Sequence, residues 1–226
     1  MDFLYKSKNA VVINKPALIP SQADRSGDSD AMSLASCALR EGGERSDLWL
    51  VHRLDRVVGG AMLFARNKRS AALISSAISA DMLNKEYVAI VEGKPTGGEM
   101  RDYIYKDAKS GRSIVVGRDT RGAREAYLTY KLISTVESAG TSFSLVLVNL
   151  HTGRFHQIRT QFSHRGFPIV GDGKYGSKLK CPEIALFSHK LSLSVESENI
   201  SASVLPNTDN YPWNLFSNDV YMELVK

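Results

Sequence analysis

Glu125-Ala-Tyr-Leu-Thr-Tyr-Lys-Leu-Ile133, followed past the Glu137–Thr141 turn by Phe143-Ser-Leu-Val-Leu-Val-Asn-Leu150, decides the fold class. In the first segment Ala126, Leu128, Tyr130 and Leu132 alternate with Tyr127, Thr129 and Lys131, the period-two pattern of a half-buried strand. The second is a nearly continuous apolar run. It is far shorter than the roughly 18–20 apolar residues that span a bilayer, so it reads as a buried strand. Joined by a turn, the two pair naturally as antiparallel neighbours.

Working outward, Ala10-Val-Val-Ile13 is a short apolar run closed by Lys15-Pro16, consistent with another buried strand leading into a loop. Residues 28–40 suit a helix, with Asp28, Ser29 or Asp30 as N-cap and Gly42-Gly43 at its end. Gly60–Ala65 reads as a strand. Asn67 then caps a helix expected to run to about Leu83, with Ala71, Ile74 and Ile78 at helical spacing. Glu86–Val91 returns as a strand, and Leu186–Leu193 is a late one. His156–His164 fits one or two helical turns, stopped by Gly166-Phe-Pro168. Gly97–Arg124 is charged and turn-rich and reads as an insertion. Strands outnumber helices, which predicts an α+β domain on a mostly antiparallel, mixed central sheet flanked by helices and loops. With no repeat and no low-complexity linker, a single domain over 1–226 is expected.

The chain has 226 residues, 43% hydrophobic and 23% charged, with a formal net charge of +5. That composition excludes disorder, collagen-like repeats and a disulfide scaffold, and the length supports a core without metal or disulfide staples. The N-terminus lacks the basic-then-apolar pattern of an export signal, so a cytoplasmic protein with no membrane association is expected. Cys37 and Cys181 are the only cysteines; they show no metal-ligand spacing and read as two reduced thiols. The charge is polarised. Residues 151–180 carry six basic residues against Asp172, residues 52–69 carry five against Asp55, and residues 182–226 carry two against six acids. Two basic segments suit a polyanion such as nucleic acid, although charge alone is equally compatible with solvated basic faces.

The reactive side chains concentrate in three segments: Val51-His-Arg-Leu-Asp-Arg-Val-Val-Gly-Gly60, Asn84-Lys-Glu-Tyr-Val-Ala-Ile-Val-Glu-Gly93, and His151-Thr-Gly-Arg-Phe-His-Gln-Ile-Arg-Thr160 with Gly166-Phe-Pro-Ile-Val-Gly-Asp-Gly-Lys-Tyr-Gly176. His151, His156 and His164, spaced by five and eight, match no i, i+4 ligand pair, and no nearby cysteine or acid pair completes a tetrahedral set. No metal is expected.

In order and spacing these segments resemble the RluA-type pseudouridine synthases, with their His-Arg-Leu-Asp, Lys-x-Tyr-x-Ala-x-Val-x-Gly, Thr-Gly-Arg-Thr-His-Gln-Ile-Arg and Gly-Asp-x-x-Tyr-Gly strings. Asn14-Lys-Pro-Ala-Leu-Ile-Pro20 is similar to the family's opening strand and loop, and the resemblance covers about residues 5–194. It implies isomerisation of a uridine inside rRNA or tRNA, breaking the N1 glycosidic bond and rejoining the base through C5, without cofactor or metal. By the same resemblance Asp55 is the nucleophile, Arg159 the guanidinium that pairs with it, and Tyr87 the aromatic that packs against the flipped base. Arg53 fills the gap that the base leaves. His52, Arg56, Arg154, His156, Ile158 and Lys174 complete the expected RNA-contacting set. Lys15 also resembles a family residue, for which structural and catalytic use are both open.

The chain departs from the pattern in three places. Val58-Gly59 stands where the family has Thr-Ser, Phe155 replaces a Thr, and Gln161 replaces a common His. Family members often carry an N-terminal S4 domain, whereas here the catalytic pattern begins within ten residues of Met1. A stand-alone catalytic domain is therefore expected, monomeric and without an obligatory protein partner, selecting its RNA through its own surface, with residues 97–124 as a candidate for that role. The competing reading is a catalytically inactive RNA-binding protein that keeps the fold, with Val58-Gly59 in its favour. A metal-dependent nuclease using the histidines is disfavoured by their spacing.

Overall fold

The computed structural model describes residues 1–196 and 198–225, which divide into two compact units: Met1–Lys85 with Phe187–Pro206, and Glu86–Leu186 with Asn207–Lys226. In the first unit β1 (Phe3–Lys6) pairs antiparallel with β2 (Ala10–Lys15), and β2 with β4 (Gly59–Ala65). The two-residue β3 (Trp49–Leu50) also pairs with β4. On the other side of β4 lies β10 (Leu186–Val195), parallel to it through Phe187 and Ser188, and β11 (Glu198–Ser203) is antiparallel to β10. Every residue of β4 is buried, as its unbroken apolar run requires of a strand covered on both faces.

Two helices belong to this unit. In α1 (Ala31–Glu41) the Asp30 carboxylate accepts from the Ser33 N–H, and in α2 (Lys68–Ser79) the Asn67 side chain accepts from the Ser70 N–H. Each cap satisfies one of the donors that a helix start leaves orphaned. α2 stops at Ser79 rather than near Leu83, because Asp81 adopts a left-handed conformation (φ 56°) that turns the chain into the next strand. Leu83 still joins the core, together with Ala10, Val12, Leu63, Ile74 and Leu191.

In the second unit the strands run β5-β9-β8-β6-β7, all antiparallel: β5 (Asn84–Glu92), β6 (Gly98–Asp107), β7 (Arg112–Val116), β8 (Arg124–Ser138) and β9 (Thr141–Leu150). β8 and β9 meet across Ala139-Gly140, both with positive φ (47° and 75°), the two-residue turn whose twist suits an antiparallel hairpin. The segment 97–124, read as an insertion, is mostly the β6–β7 hairpin. α3 (Gln157–His164) covers the face that carries Met100 and Ala126: Gln161 Nε2 donates to the Met100 carbonyl at 3.2 Å, and Phe162 meets the Tyr130 ring edge-on at 5.0 Å. Toward the C-terminus, a 3-10 turn (Trp213–Leu215) and α4 (Asn218–Met222) are tied by the Tyr221 hydroxyl donating to the Trp213 carbonyl at 2.7 Å. The expected α+β class with mostly antiparallel strands is what both units show. Among the described residues no helix is long and apolar enough to cross a membrane.

Candidate active site

Asp55 lies in the loop between β3 and β4 of the first unit, and its backbone is fixed from several directions. The Val58 N–H donates to the Asp55 carbonyl at 3.0 Å, closing a tight turn. On the residue before, the Ser21 hydroxyl donates to the Leu54 carbonyl (2.8 Å) and accepts from the Leu54 N–H (3.1 Å). Lys15 is fully buried, and its ammonium donates to the carbonyls of Pro16 (2.9 Å), Ile19 (2.7 Å) and Arg56 (3.4 Å). A buried cation surrounded by carbonyl dipoles is held by charge-assisted hydrogen bonds. Lys15 therefore ties the opening loop to the Asp55 loop, a structural use.

His52 Nε2 accepts from the Leu63 N–H at 2.8 Å. That bond requires a lone pair on Nε2, so the neutral ring carries its proton on Nδ1. Burial, and then the nearby positive charge of Lys85, push its pKa down to about 4. Arg56 is largely engaged by the opening loop: Nε donates to the Leu18 carbonyl (3.1 Å), Nη1 to Ser26 (3.2 Å), and Nη2 pairs with Asp28. Arg53 is exposed.

The departure at Val58-Gly59 has a packing cause. A Cβ on Gly59 would lie 3.2 Å from both the Lys15 carbonyl and the Phe187 ring. On Gly60, with φ +112°, it would lie 2.2 Å from the Ser188 carbonyl. The close approach of β10 and β2 to the start of β4 makes Gly59 a tight position and leaves no room for a side chain at Gly60. Val58 is buried, and the hydroxyl that steadies the loop comes from Ser21 instead.

In the second unit the central feature is Arg159 on α3. Its guanidinium forks onto Asp172, Nε to Oδ2 at 2.7 Å and Nη2 to Oδ1 at 2.9 Å, with the two side chains 5% and 1% exposed. Two parallel bonds to a carboxylate fix the plane of the guanidinium as well as its position. The Tyr175 ring lies 4.9 Å from the guanidinium carbon, while its hydroxyl accepts from the Ser113 N–H (2.8 Å) and meets His156 Nδ1 (2.8 Å). His156 introduces α3 in a left-handed conformation (φ 53°) and stacks on Phe155, centroids 3.7 Å apart. Burial, with the charges of Arg159, Lys174 and Lys106 around it, pushes the His156 pKa down to about 3. Its imidazole is neutral at physiological pH.

The remaining residues expected at the site are distributed as follows. Tyr87 is buried on β5 opposite Val148 of β9, and Ile158 is buried on α3. The Arg154 Nε donates to the Glu125 carbonyl at 2.7 Å, and its exposed side chain lies against the end of β8. Phe155, in place of the family Thr, is an exposed ring with Lys106 Nζ 4.4 Å from its centroid. Gln161, in place of the His, donates to Asp102 Oδ2 at 2.7 Å, and Arg165 forks onto the same carboxylate at 2.8 and 3.2 Å. The structure thus gathers His156, Ile158, Arg159 and Lys174 around α3, and His52, Arg53, Asp55 and Arg56 on one loop.

Sequence reasoning missed the residues that hold these side chains: Ser21, Ser113, Asp172 and Tyr175. Asp172 carried a signal, as the lone acid in a basic segment. Ser21 and Ser113 carried none. Among the described residues no three His, Cys, Asp or Glu side chains cluster to hold a metal ion.

The sequence model of a family described as RNA pseudouridylate synthase matches residues 9–164, a span that includes Asp55, Tyr87 and Arg159. The chain is 32% identical over 177 residues to "Ribosomal large subunit pseudouridine synthase C" of Rickettsia conorii, covering 77% of this chain but 56% of that protein. It is 32% identical over 189 residues to "tRNA pseudouridine synthase C" of Haemophilus ducreyi, covering 78% of this chain and 74% of that protein. The chain therefore spans little more than half the length of the Rickettsia relative. In fold it is similar to the solved structure of "Human RNA Pseudouridylate Synthase Domain Containing 4", with a TM-score of 0.75 at 24% identity, covering 91% of this chain and 89% of that one.

Proposed function

Since the chain belongs to the RNA pseudouridylate synthase family, we propose that it isomerises specific uridines within structured ribosomal or transfer RNA to pseudouridine. In this reading both units form part of one catalytic domain, which acts as a monomer in the cytoplasm and needs no cofactor. The observation that carries it is the family match across residues 9–164, which takes in all three candidate catalytic side chains in order.

The Asp55 carboxylate is the group that engages the sugar as the N1–C1′ bond breaks. Ionised carboxylates attack carbon or stabilise an oxocarbenium-like sugar, and the fixed Asp55 loop favours this by presenting the residue from an immobile backbone. The detached uracil turns, C5 bonds to C1′, the C5 proton leaves and N1 gains one, so that the product is an isomer with no net change in atoms. Arg159 keeps its family role toward the catalytic carboxylate, and its rigid fork to Asp172 supports a positioning function. Tyr87 packs against the flipped base, where an aromatic face is worth roughly 1–3 kcal/mol. Arg53, exposed and long, fills the gap opened when the base leaves its stack. His52, Arg56, Arg154, His156, Ile158 and Lys174 complete the RNA-facing set, His52 and Arg56 by shaping the loop that bears Asp55.

The competing reading, an inactive RNA-binding protein, rested on Val58-Gly59. The tight space at Gly59 and the burial of Val58 give those residues a packing reason that is unrelated to loss of activity. Mapping pseudouridines in total RNA from cells with and without the protein tests the proposal and names the substrate. Sites lost in the deletion and restored by the wild-type chain support it, and an unchanged map overturns it.

A further inference from the structure

The antiparallel register of the second unit separates two faces of its sheet. α3 covers the face that bears Met100, Ile104 and Ala126. The opposite face is defined by cross-strand partners: Arg101 opposite Tyr127, Tyr103 opposite both Val116 and Glu125, Tyr105 opposite Ile114, and Asp107 opposite Arg112. Residues directly opposite in a sheet point to the same side. This side therefore presents Tyr103, Tyr105 and Tyr127, interleaved with Arg101 and Arg112, and His151 continues it from the end of β9.

The contacts among these side chains form a layered stack. The Arg101 guanidinium lies 3.7 Å from the Tyr127 ring centroid, and the His151 ring is stacked on Tyr127 at 4.4 Å with only 15° between planes. Thr129 Oγ1 holds His151 Nε2 at 3.2 Å, and Arg118 reaches over Tyr103 at 6.0 Å. The face is open: Tyr105 is 36% exposed, Ile114 47%, and the Arg101 side chain 55%. Of the acids on it, Glu99 and Glu125 approach Arg101 only at 3.7 and 4.0 Å, and Asp107 accepts from the Lys109 N–H at 2.9 Å. Across residues 97–124 seven basic residues face four acids, and one of those acids, Asp102, is bound to Arg165 and Gln161 on the other face.

Flat rings on an open sheet, spaced by cations, suit a single-stranded nucleic acid: every base has a π-face to stack, and every phosphate a charge to neutralise. A protein partner would be met better by an apolar face with fewer charges. We propose that this face docks a single-stranded RNA segment, with bases stacking on Tyr105 and on the outer face of His151, which Tyr127 backs from beneath, and phosphates met by Arg101, Arg112 and Arg118. The proposal requires RNA as ligand but not isomerisation, so that either can fail without the other.

The test is fluorescence anisotropy with a fluorescein-labelled, mixed-sequence single-stranded RNA oligonucleotide, on the full chain. His151→Ala and Tyr105→Ala should each weaken binding about ten-fold, the loss expected for one stacked base. Tyr105→Phe, which keeps the ring, should bind like wild type. Ile114→Glu, at an exposed edge position, provides a further variant that spares the core, and it should weaken binding several-fold. The unfolding transition of each variant is measured alongside. Affinities within two-fold of wild type for folded Tyr105→Ala and Ile114→Glu would overturn the proposal. So would a concentration-dependent dimer that Ile114→Glu abolishes without changing RNA affinity, since the face would then belong to a second copy of the chain.

Discussion

Arg159 and Asp172 form a two-bond fork, 2.7 and 2.9 Å, with both side chains almost wholly withdrawn from water. Breaking such a buried pair by removing one member typically costs about 3–5 kcal/mol. Asp172→Ala should therefore lower the denaturation midpoint by an amount in that range, and Asp172→Asn, which can still accept from the guanidinium, should lose less. A loss below about 1 kcal/mol for Asp172→Ala in urea titrations would show that the fork does not anchor the helix.

The buried ammonium of Lys15 is a second anchor, donating to the carbonyls of Pro16, Ile19 and Arg56. Lys15→Met keeps most of the volume but leaves the Pro16 and Ile19 carbonyls without this donor. Each buried acceptor so stranded costs about 1–3 kcal/mol. The variant should be destabilised by at least 2 kcal/mol on that basis, and Lys15→Arg, too large for the site, should not restore it. Wild-type stability in Lys15→Met would refute the role assigned here.

Acid should expose the two buried imidazoles. His52, with a pKa of about 4, binds its proton more tightly in the unfolded chain, where the ordinary value near 6.5 holds. Its contribution is complete above pH 6.5 and is lost as the pH falls toward about 4, because the unfolded state takes up the proton first. His156, lowered to about 3, extends the same trend further into acid. Stability measured from pH 7 to 4 should fall, and His52→Gln should flatten part of that slope. An unchanged slope in His52→Gln would contradict the neutral, Leu63-bound imidazole.

Gly60 lies where β4 passes against Ser188, at φ +112° and 2.2 Å from its carbonyl once a Cβ is added. Gly60→Ala should be destabilised by more than about 3 kcal/mol or fail to accumulate as soluble protein. Gly43→Ala provides the comparison: its φ is also positive, at 72°, but its added Cβ meets nothing within 4 Å. It should lose only the backbone penalty of about 1 kcal/mol. Equal losses in the two would mean that crowding at β4 is unimportant.

The sequence revealed those parts of the fold whose pattern is local. The alternation in β8 and the apolar run of β9 announced their hairpin, and the Asp28-Ser-Asp30 cluster and Asn67 announced two helix starts, because strand period and capping are written within a few residues. The β6–β7 hairpin stayed hidden because its α3-facing side is not uniformly apolar: Met100 and Ile104 flank Asp102, whose carboxylate is neutralised by Arg165, some sixty residues away in the chain. A charged residue on the buried side breaks the alternation by which a strand is recognised. The candidate site divided in the same way. Asp55, Tyr87 and Arg159 stood out through family motifs, whereas Ser21 and Ser113 act through hydrogen bonds to distant groups, a relationship that no local spacing encodes. Val58-Gly59 read as a departure from the family, yet the tight space at Gly59 comes from Lys15 on β2 and Phe187 on β10, both distant in sequence.

The central claim, that Asp55 carries out uridine isomerisation, is tested most directly by tritium release from RNA labelled at uridine C5, since forming the C5–C1′ bond must expel that hydrogen. RNA from cells lacking the protein is the substrate, and wild type is compared with Asp55→Asn. The account predicts release by wild type and none by Asp55→Asn, with RNA affinity unchanged within a few-fold. Release by Asp55→Asn at the wild-type rate, or none by folded wild type, would contradict it.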